Sequence, residues 1–216
     1  MKTEENPQEP TQRQELRNHI LDMALQLFTS HGIKSITMDD IAASMSISKR
    51  TLYEVFADKE TLLIACLQKS QHEADVYIKR VYDSSSNVME VILRLYESSI
   101  ERLHHFNKRF FEDLKRYPKV NELVEERRNR DTKEKMDFFK EGVAQGLFRG
   151  DINFAIMNDL VQGQLDLLMY TNLNTKYSFL EVYEAIMFTY LRGITTEKGA
   201  NLLDTFIKAY RTNQKQ

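Results

Sequence analysis

A cluster of polar side chains near residue 50 has the chemistry that contacts with DNA require. Its members are Lys49, Arg50, Thr51 and Tyr53. An arginine guanidinium donates two parallel hydrogen bonds to a guanine edge, whereas a lysine ammonium reaches a guanine edge or a phosphate. The hydroxyls of threonine and tyrosine suit phosphate oxygens. These side chains share the outer face of a short helix whose inner face is Leu52, Val55 and Phe56. The pattern therefore predicts a helix with a hydrogen-bonding outer face.

A second short helix precedes this one. Thr37, with Asp40 three residues later, offers an N-cap and opens a helix of about two turns, and Ser48 offers the N-cap of the helix that carries the cluster. Because a helix of two turns is marginally stable alone, the two are expected to pack together as a helix-turn-helix. In this motif the second helix lies in the major groove of DNA.

Longer helices flank the pair. Apolar residues recur at three- and four-residue steps from about residue 11 to residue 31, and Gly32 follows as a C-cap. Asp58 caps another helix, predicted over about residues 58–82. Lys59 lies just inside its start, where the N-terminus of a helix favours a phosphate. The flanking helices therefore supply the support that the two short ones need.

These residues resemble the signature of the tetracycline-repressor (TetR) family, in register over about residues 15–64. The matching positions are Thr37, Ile41, Ala42, Ile47, Ser48, Thr51, Leu52, Tyr53, Phe56, Lys59, Glu60, Leu62 and Leu63. The resemblance implies a DNA-facing set of Thr37, Ser48, Lys49, Arg50, Thr51, Tyr53 and Lys59.

Two positions depart from the pattern of that family. Ser46 stands where the family usually has the glycine of the turn, and Arg50 stands where glycine or alanine is commoner. If position 46 requires a positive φ, serine costs about 1 kcal/mol relative to glycine. Arg50 adds a donor, so it is expected to shift sequence preference rather than abolish binding.

The rest of the chain is also predicted to be helical, because the whole sequence contains only seven glycines and three prolines. Helices are expected over about residues 88–104, up to 117, 118–145, 151–170, 178–193 and 197–211, with no strands. The fold class is all-α, with a three-helix helix-turn-helix domain at residues 13–60 after a disordered tail at 1–12. A helical-bundle domain for ligand binding and dimerisation follows at 61–216, and helix 58–82 links the two domains.

Two helices near the end are apolar on several faces, which predicts that they cover the core and also a partner subunit. Resemblance to the family also implies a four-helix dimer interface from these helices. The expected interface residues are Leu160, Gly163, Leu167, Tyr183, Met187 and Tyr190. The alternative is that both helices are simply central in a monomer.

Aromatic residues between about 88 and 170 could border a pocket for a small apolar or aromatic effector, although aromatic residues at helical spacing are more often plain core. The candidate ligand-binding residues are Arg94, Tyr96, His104, Phe110, Phe138 and Asn158.

Other function classes lack their motifs. Cys66 is the single cysteine, and neither it nor the adjacent His104 and His105 has the spacing of a metal site, so no metal or cofactor is expected. No nucleophile–base arrangement or phosphate loop supports the remote alternative of a helical-bundle enzyme. The first residues lack the apolar core of a signal peptide and no span is apolar enough for a bilayer, so a cytoplasmic protein is expected.

The sequence as a whole predicts a dimeric regulator, expected to repress from a palindromic double-stranded DNA operator and to be released by a small molecule. A factor of the same fold that answers to a protein partner, or to no effector, is the alternative. The net charge of −2 does not fit a basic protein that coats nucleic acid, so DNA contact must depend on a local cluster of cations.

Overall fold

The computed structural model describes residues 12–104, 106–130, 132–170 and 176–213. Within these ranges the chain forms eleven α-helices and no β-strand, apart from an isolated bridge between Phe148 and Thr195. In chain order the helices are α1 (Gln12–His31), α2 (Met38–Ser44), α3 (Lys49–Val55), α4 (Lys59–Ser84), α5 (Val88–His104), α6 (Lys108–Leu114), α7 (Pro118–Arg130), α8 (Thr132–Ala144), α9 (Phe154–Tyr170), α10 (Phe179–Ile194) and α11 (Glu197–Asn213).

Most of the predicted helix boundaries agree with these bounds. The predicted C-cap Gly32 has a φ of 88°, the left-handed conformation that glycine adopts without steric cost. Asp58 caps α4 as expected, since its Oδ1 accepts a hydrogen bond from the Thr61 amide at 2.7 Å. The predicted tail falls almost wholly on residues 1–11, which lie outside the described residues, and Gln12 already belongs to α1.

Three helix predictions differ from the structure. The helix expected to end at Tyr117 ends at Leu114. The single helix expected over about 118–145 corresponds to α7 and α8, which lie on either side of residue 131, itself outside the described residues. The helix expected to start at Asp151 begins instead at Phe154, because Asn153 is its cap and accepts a hydrogen bond from the Ile156 amide at 3.2 Å. The Asp151 carboxylate is engaged by the Arg149 guanidinium, at 3.0 and 2.7 Å.

The first of two compact units comprises the described residues up to Ala74 together with Asn107–Val120. Its core is formed by apolar side chains from the first four helices, namely Ile20, Leu21, Ala24, Phe28, Ile41, Leu52, Leu62 and Leu63. These residues are buried because each helix presents one apolar stripe to the others.

The first unit is larger than the predicted domain at 13–60. Helix α6 packs against α1, and the backbone amide of Asn107 donates to the Thr29 carbonyl at 2.7 Å. The Asp113 carboxylate accepts a hydrogen bond from the Lys34 amide at 2.7 Å, just after α1. These ties come from residues more than seventy positions away in sequence, so α6 helps to hold the α1–α2 connection.

The second unit comprises Asp75–Phe106 and the residues from Asn121 onward. Helices α9 and α10 pack along each other, and α5, α8 and α11 complete the bundle. Tyr96 of α5 is buried at its centre, stacked on Tyr183 and in contact with the rings of Phe188, Phe206 and Tyr210. Burial raises the pKa of the Tyr96 hydroxyl. The core of this helix bundle is therefore a cluster of aromatic side chains around α5.

Candidate nucleic-acid interface

The start of α2 is held by a reciprocal capping box. The Thr37 hydroxyl accepts a hydrogen bond from the Asp40 amide at 3.1 Å, and the Asp40 carboxylate accepts from the Thr37 amide at 2.8 Å. The hydrogen bond from the Thr37 side chain lowers the pKa of Asp40. Met38, Ile41 and Ala42 are buried beneath the helix, so local capping and the apolar face together fix its position.

The turn between the two short helices requires one residue in the left-handed region. The Ile47 amide donates to the Ala42 carbonyl at 3.0 Å, and the Ser46 amide donates to the Ala43 carbonyl at 3.1 Å. This pair of bonds is a Schellman motif, in which the residue after the C-cap has a positive φ. Ser46 occupies that position with a φ of 54°, so the turn glycine is absent but its conformation is kept.

Helix α3 presents a polar face outward because one side of it is anchored. Leu52 and Phe56 are buried, whereas Lys49 and Arg50 are exposed and Tyr53 is 50% exposed. An exposed tyrosine beside two cations is unusual for a residue that serves only packing. The predicted inner face is confirmed at Leu52 and Phe56, and the predicted outer face is exposed at Lys49, Arg50 and Tyr53. Val55 and Thr51 are half-buried.

The hydroxyls of the predicted DNA-facing set are partly engaged within the helix. Ser48 accepts a hydrogen bond from the Thr51 amide at 3.0 Å and caps α3. The Ser48 and Thr51 hydroxyls lie 2.8 Å apart and hydrogen bond to each other. A phosphate contact by this pair stays a prediction.

Both cations of α3 have a carboxylate partner that we did not anticipate from the sequence. The Lys49 ammonium forms an ion pair with Asp39 of α2, and this hydrogen bond raises the pKa of Lys49. The Arg50 guanidinium donates from Nε to Glu54 Oε1 at 2.9 Å. The second partner was detectable from the spacing, because side chains at i and i+4 of a helix are neighbours.

Lys59 lies in a different environment from the one expected. Its ammonium donates to the carbonyls of Ile33 and Ile36, each at 2.8 Å, and desolvation lowers its pKa. The ammonium therefore ties the start of α4 to the α1–α2 connection. Of its three N–H donors two are used in this way, and a phosphate contact by Lys59 stays a prediction.

Comparison with known proteins identifies the motif. Residues 20–66 match the model of bacterial regulatory proteins of the tetR family. The HTH-type transcriptional repressor KstR2 of Mycolicibacterium smegmatis is 28% identical over 152 residues, which cover 68% of this chain and 74% of that repressor. This N-terminal region is a DNA-binding domain of the TetR family. The chain is therefore a DNA-binding transcriptional regulator, and its named relatives are transcriptional regulators rather than enzymes.

Solved structures of TetR-family and related regulators share the fold. The ketosteroid transcriptional regulator KstR2 of Mycobacterium tuberculosis superposes with a TM-score of 0.57 at 23% identity, covering 84% of this chain and 96% of that one. A TetR-family regulator from Cytophaga hutchinsonii has a TM-score of 0.68 at 14% identity, covering 88% and 100%. The fatty acid degradation regulator FadR of Bacillus halodurans has a TM-score of 0.60 at 19% identity, covering 88% and 97%.

The second unit contains a groove of about 840 Å³ between α4, α5 and α8. Its apolar and aromatic lining is Ile78, Tyr82, Val91, Ile92, Leu95, Phe138 and Phe139, and its charged lining is Asp75, Lys79, Glu134, Lys135, Asp137 and Glu141. The Tyr82 hydroxyl donates a hydrogen bond to the Glu141 carboxylate, and the Tyr82 ring contacts Phe138. The volume of this groove is in the range of small-molecule sites.

The groove includes one of the six predicted ligand-binding residues, Phe138. Tyr96 is instead part of the aromatic core, and Phe110 is buried in the first compact unit rather than the second. Arg94 donates to Ser84 Oγ at 2.9 Å and Ser85 Oγ at 3.2 Å, where it holds the end of α4.

His104 and Asn158 lie outside the groove lining, at the exposed last residue of α5 and on α9. The groove residues that we did not single out from the sequence, such as Ile78 and Tyr82, lie on α4, where helical periodicity alone does not reveal which neighbour they meet.

The predicted dimer residues separate into two groups. On α9, Leu160 is 56% exposed, and a Cβ on Gly163 would meet no described atom within 4 Å. On α10, Tyr183, Met187 and Tyr190 pack in part against the core of their own unit, because α10 lies against α5 and α11, and burial raises the pKa of Tyr190 to about 12. The side chain of Leu167 lies outside the described residues.

Among the residues that the structure describes, no group of three His, Cys, Asp or Glu side chains could hold a metal ion. None of the helices described in the structure is long and apolar enough to cross a membrane.

Proposed function

We propose that this TetR-family chain is a homodimeric repressor that binds a palindromic operator through α3 of each copy and leaves it when a small apolar or aromatic molecule occupies the groove. The observation that carries the proposal is the outward face of α3, where Lys49, Arg50 and Tyr53 are exposed above the buried Leu52. Donors on the outer face of a recognition helix are what contacts with base edges and phosphates require.

Two-fold symmetry follows if the protein is a dimer, because each copy then reads one half-site of a palindrome. Exposed apolar side chains on α9 support the dimer, with Ile156 57% and Leu160 56% exposed. Large apolar side chains at adjacent turns of one helix favour a partner that covers them. The open space at Gly163 fits a closely approaching second helix.

The groove supports control by a small molecule. Its lining combines Ile92, Leu95 and the rings of Phe138 and Phe139 with charged groups from α4 and α8. KstR2 of M. tuberculosis is named for ketosteroid and FadR of B. halodurans for fatty acid degradation, and both names refer to largely apolar molecules. A molecule of that character is the effector that we propose here.

Selection of bound duplexes from a random pool is the experiment that tests DNA recognition. We expect a pseudo-palindrome, with affinity that falls steeply between about 50 and 200 mM salt as counterions are released. Enrichment of a site without dyad symmetry would contradict the dimeric mode. A control variant is Lys208→Ala, which removes an exposed lysine of α11 and should leave the selected site unchanged.

A factor controlled by a protein partner, or by no effector, would show the same selected site. It would differ in the groove, where no compound from an apolar and aromatic panel would bind. That outcome would retain the DNA-binding part of the proposal and remove the effector part.

A further inference from the structure

Arg50 and Glu54 form an ion pair on the outer face of α3, one helical turn apart. The bond joins Arg50 Nε to Glu54 Oε1 at 2.9 Å, so it uses the side nitrogen of the guanidinium. Among the described residues, the two terminal nitrogens of Arg50 make no hydrogen bond. The carboxylate thus leaves free the two terminal nitrogens at the outer end of the side chain, which carry four of the five N–H donors.

The choice of nitrogen matters for recognition of a base. A guanine presents two acceptors in the major groove, O6 and N7, and the fork of an arginine matches them with two parallel hydrogen bonds. An unrestrained arginine side chain has many rotamers and a guanidinium plane that turns freely, so ordering it lowers the gain from contact. A carboxylate on Nε restricts this rotation and leaves both terminal nitrogens available for a base.

We propose that Glu54 is a positioning residue for specificity, which orients Arg50 so that its two terminal nitrogens meet O6 and N7 of one guanine in each half-site. The inference rests on the proposed function, since it requires α3 to lie in the major groove. The inference goes beyond the proposed function because it assigns base preference to two residues. Of these, Arg50 contacts the base and Glu54 does not.

The charge of Glu54 also increases the difference in affinity between specific and random DNA. A carboxylate beside the guanidinium offsets the attraction of Arg50 for phosphates, which is the same for every sequence. Arg50 then contributes less to binding of random DNA than an unpaired arginine would. A site with guanine at the right position keeps the full pair of hydrogen bonds, so the difference between specific and random DNA increases.

The pair is also exposed enough to be altered without unfolding the protein. The side chain of Arg50 is 89% exposed and that of Glu54 is 60% exposed. Exposed ion pairs of this spacing contribute little to folding stability. Loss of specificity on substitution of Glu54 would therefore report on DNA recognition and not on the fold, and circular dichroism of each variant verifies this.

Asp39 provides the matched control. It also pairs with a cation of α3, Lys49. Its replacement by asparagine removes one negative charge from the first compact unit, as the replacement of Glu54 by glutamine does. Asp39→Asn and Glu54→Gln therefore change long-range attraction to DNA to a similar extent, whereas only the second alters the partner of Arg50.

The test compares base preferences of the full-length protein and its variants by selection from a random duplex pool and by affinity for the selected and a scrambled duplex. Arg50→Ala identifies the guanine that Arg50 reads, through the base pair at which preference is lost. Glu54→Ala should reduce the preference at that same base pair on the order of tenfold, with affinity for the scrambled duplex equal or higher. Glu54→Gln keeps an acceptor for Nε and should restore part of the preference.

Two controls complete the expected pattern. Asp39→Asn should leave the preference at that base pair unchanged, and adding Glu54→Ala to Arg50→Ala should cause no further loss there. If Arg50→Ala changes one base pair and Glu54→Ala does not change it, the positioning role is overturned while the proposed function stands. A Glu54→Ala change at a different base pair would also overturn it, because Glu54 would then read a cytosine directly. Failure of the wild-type protein to select any site would instead count against the proposed function.

Discussion

The amide of Ile47 donates a hydrogen bond to the carbonyl of Ala42 across the turn of the helix-turn-helix, at 3.0 Å. The bond closes the turn only because Ser46, which precedes Ile47, adopts a φ of 54°. A residue with a Cβ is strained in this left-handed region, whereas glycine is not. The same motif closes α8, where the Leu147 amide donates to the Gly142 carbonyl at 2.9 Å and Gly146 has a φ of 70°.

Replacing Ser46 by glycine should therefore stabilise the first unit by about 1 kcal/mol, since the strain of the left-handed serine is removed. The matched reverse change is Gly146→Ser, which should cost about the same amount in the second unit because no described atom lies within 4 Å of the added Cβ. Urea denaturation of each variant measures both effects. A destabilised Ser46→Gly protein would show that the serine has contacts that outweigh its strain.

Replacing Lys59 by methionine should destabilise the first unit by about 1–3 kcal/mol, because the carbonyls of Ile33 and Ile36 lose their donor while the apolar stem is retained. Lys119→Met is the control. Its ammonium is exposed and forms a weak ion pair with Glu60 at 3.8 Å, so the free energy of unfolding should change by no more than about 0.5 kcal/mol. Chemical denaturation compares the two. The salt dependence of DNA binding then reports on the third N–H, since loss of one phosphate contact lowers the slope by about one.

Local signals were sufficient to predict the helix-turn-helix. Capping by Thr37 and Ser48, the apolar Leu52 and the breaks around the turn depend on residues within four or five positions of one another. The positive φ at Ser46 was also deducible, because a tight turn between two helices needs one such residue. Boundaries between compact units depend instead on which distant surfaces meet, and for this reason the sequence did not predict that α6 packs with the first unit.

The ligand-binding residues illustrate the same limit. Phe110 and Phe138 look alike in sequence, as aromatic residues on helices of the second half, but one is buried in the first unit and the other lines the groove. Helical periodicity tells which face of a helix is apolar and does not tell which neighbour covers it. Lys59 was placed by its position in the helix, whereas its environment is determined by carbonyls 23 and 26 residues away.

Charge placed on the exposed face of α9 should separate the proposed dimer. The double variant Ile156→Glu, Leu160→Glu leaves a single copy intact, since both side chains are more than half exposed there, but buries charge when a second copy covers them. Analytical ultracentrifugation should show a monomer with much weaker operator binding. Leu202→Glu changes a 40% exposed leucine of α11 and should remain a dimer. A folded double variant that sediments as a dimer would place the interface elsewhere.

Tyr82 should ionise at a higher pH than an ordinary tyrosine. Its hydrogen bond to the Glu141 carboxylate raises its pKa above 10.0, because the charged phenolate would repel the carboxylate and lose the bond. The bond thus contributes stability below pH 10.0 that is lost as pH rises through the higher pKa of the folded protein. An NMR titration of ring-labelled tyrosine, assigned with Tyr82→Phe, measures it. Glu141→Gln should return the midpoint toward 10.0, and an unchanged midpoint would contradict the contact.

Occupancy of the groove should be coupled to DNA binding. Helix α4 begins in the first unit and ends in the second, where Ile78 and Tyr82 line the groove, so a bound molecule acts on the same helix that starts at Lys59. The compound must bind the form without DNA more tightly than the form with DNA, and a tenfold loss of operator affinity needs about 1.4 kcal/mol of difference.

An apolar and aromatic panel should therefore contain a compound that weakens operator binding, and the operator should weaken binding of that compound by the same factor. Fluorescence anisotropy of a labelled operator and calorimetric titration of the compound measure the two directions. Ile92→Trp adds bulk to the groove wall and should remove compound binding while operator affinity is kept, whereas Leu202→Trp on α11 should change neither. A compound that binds tightly in the groove and changes neither affinity would contradict the coupling, because a ligand with equal affinity for both forms shifts no equilibrium.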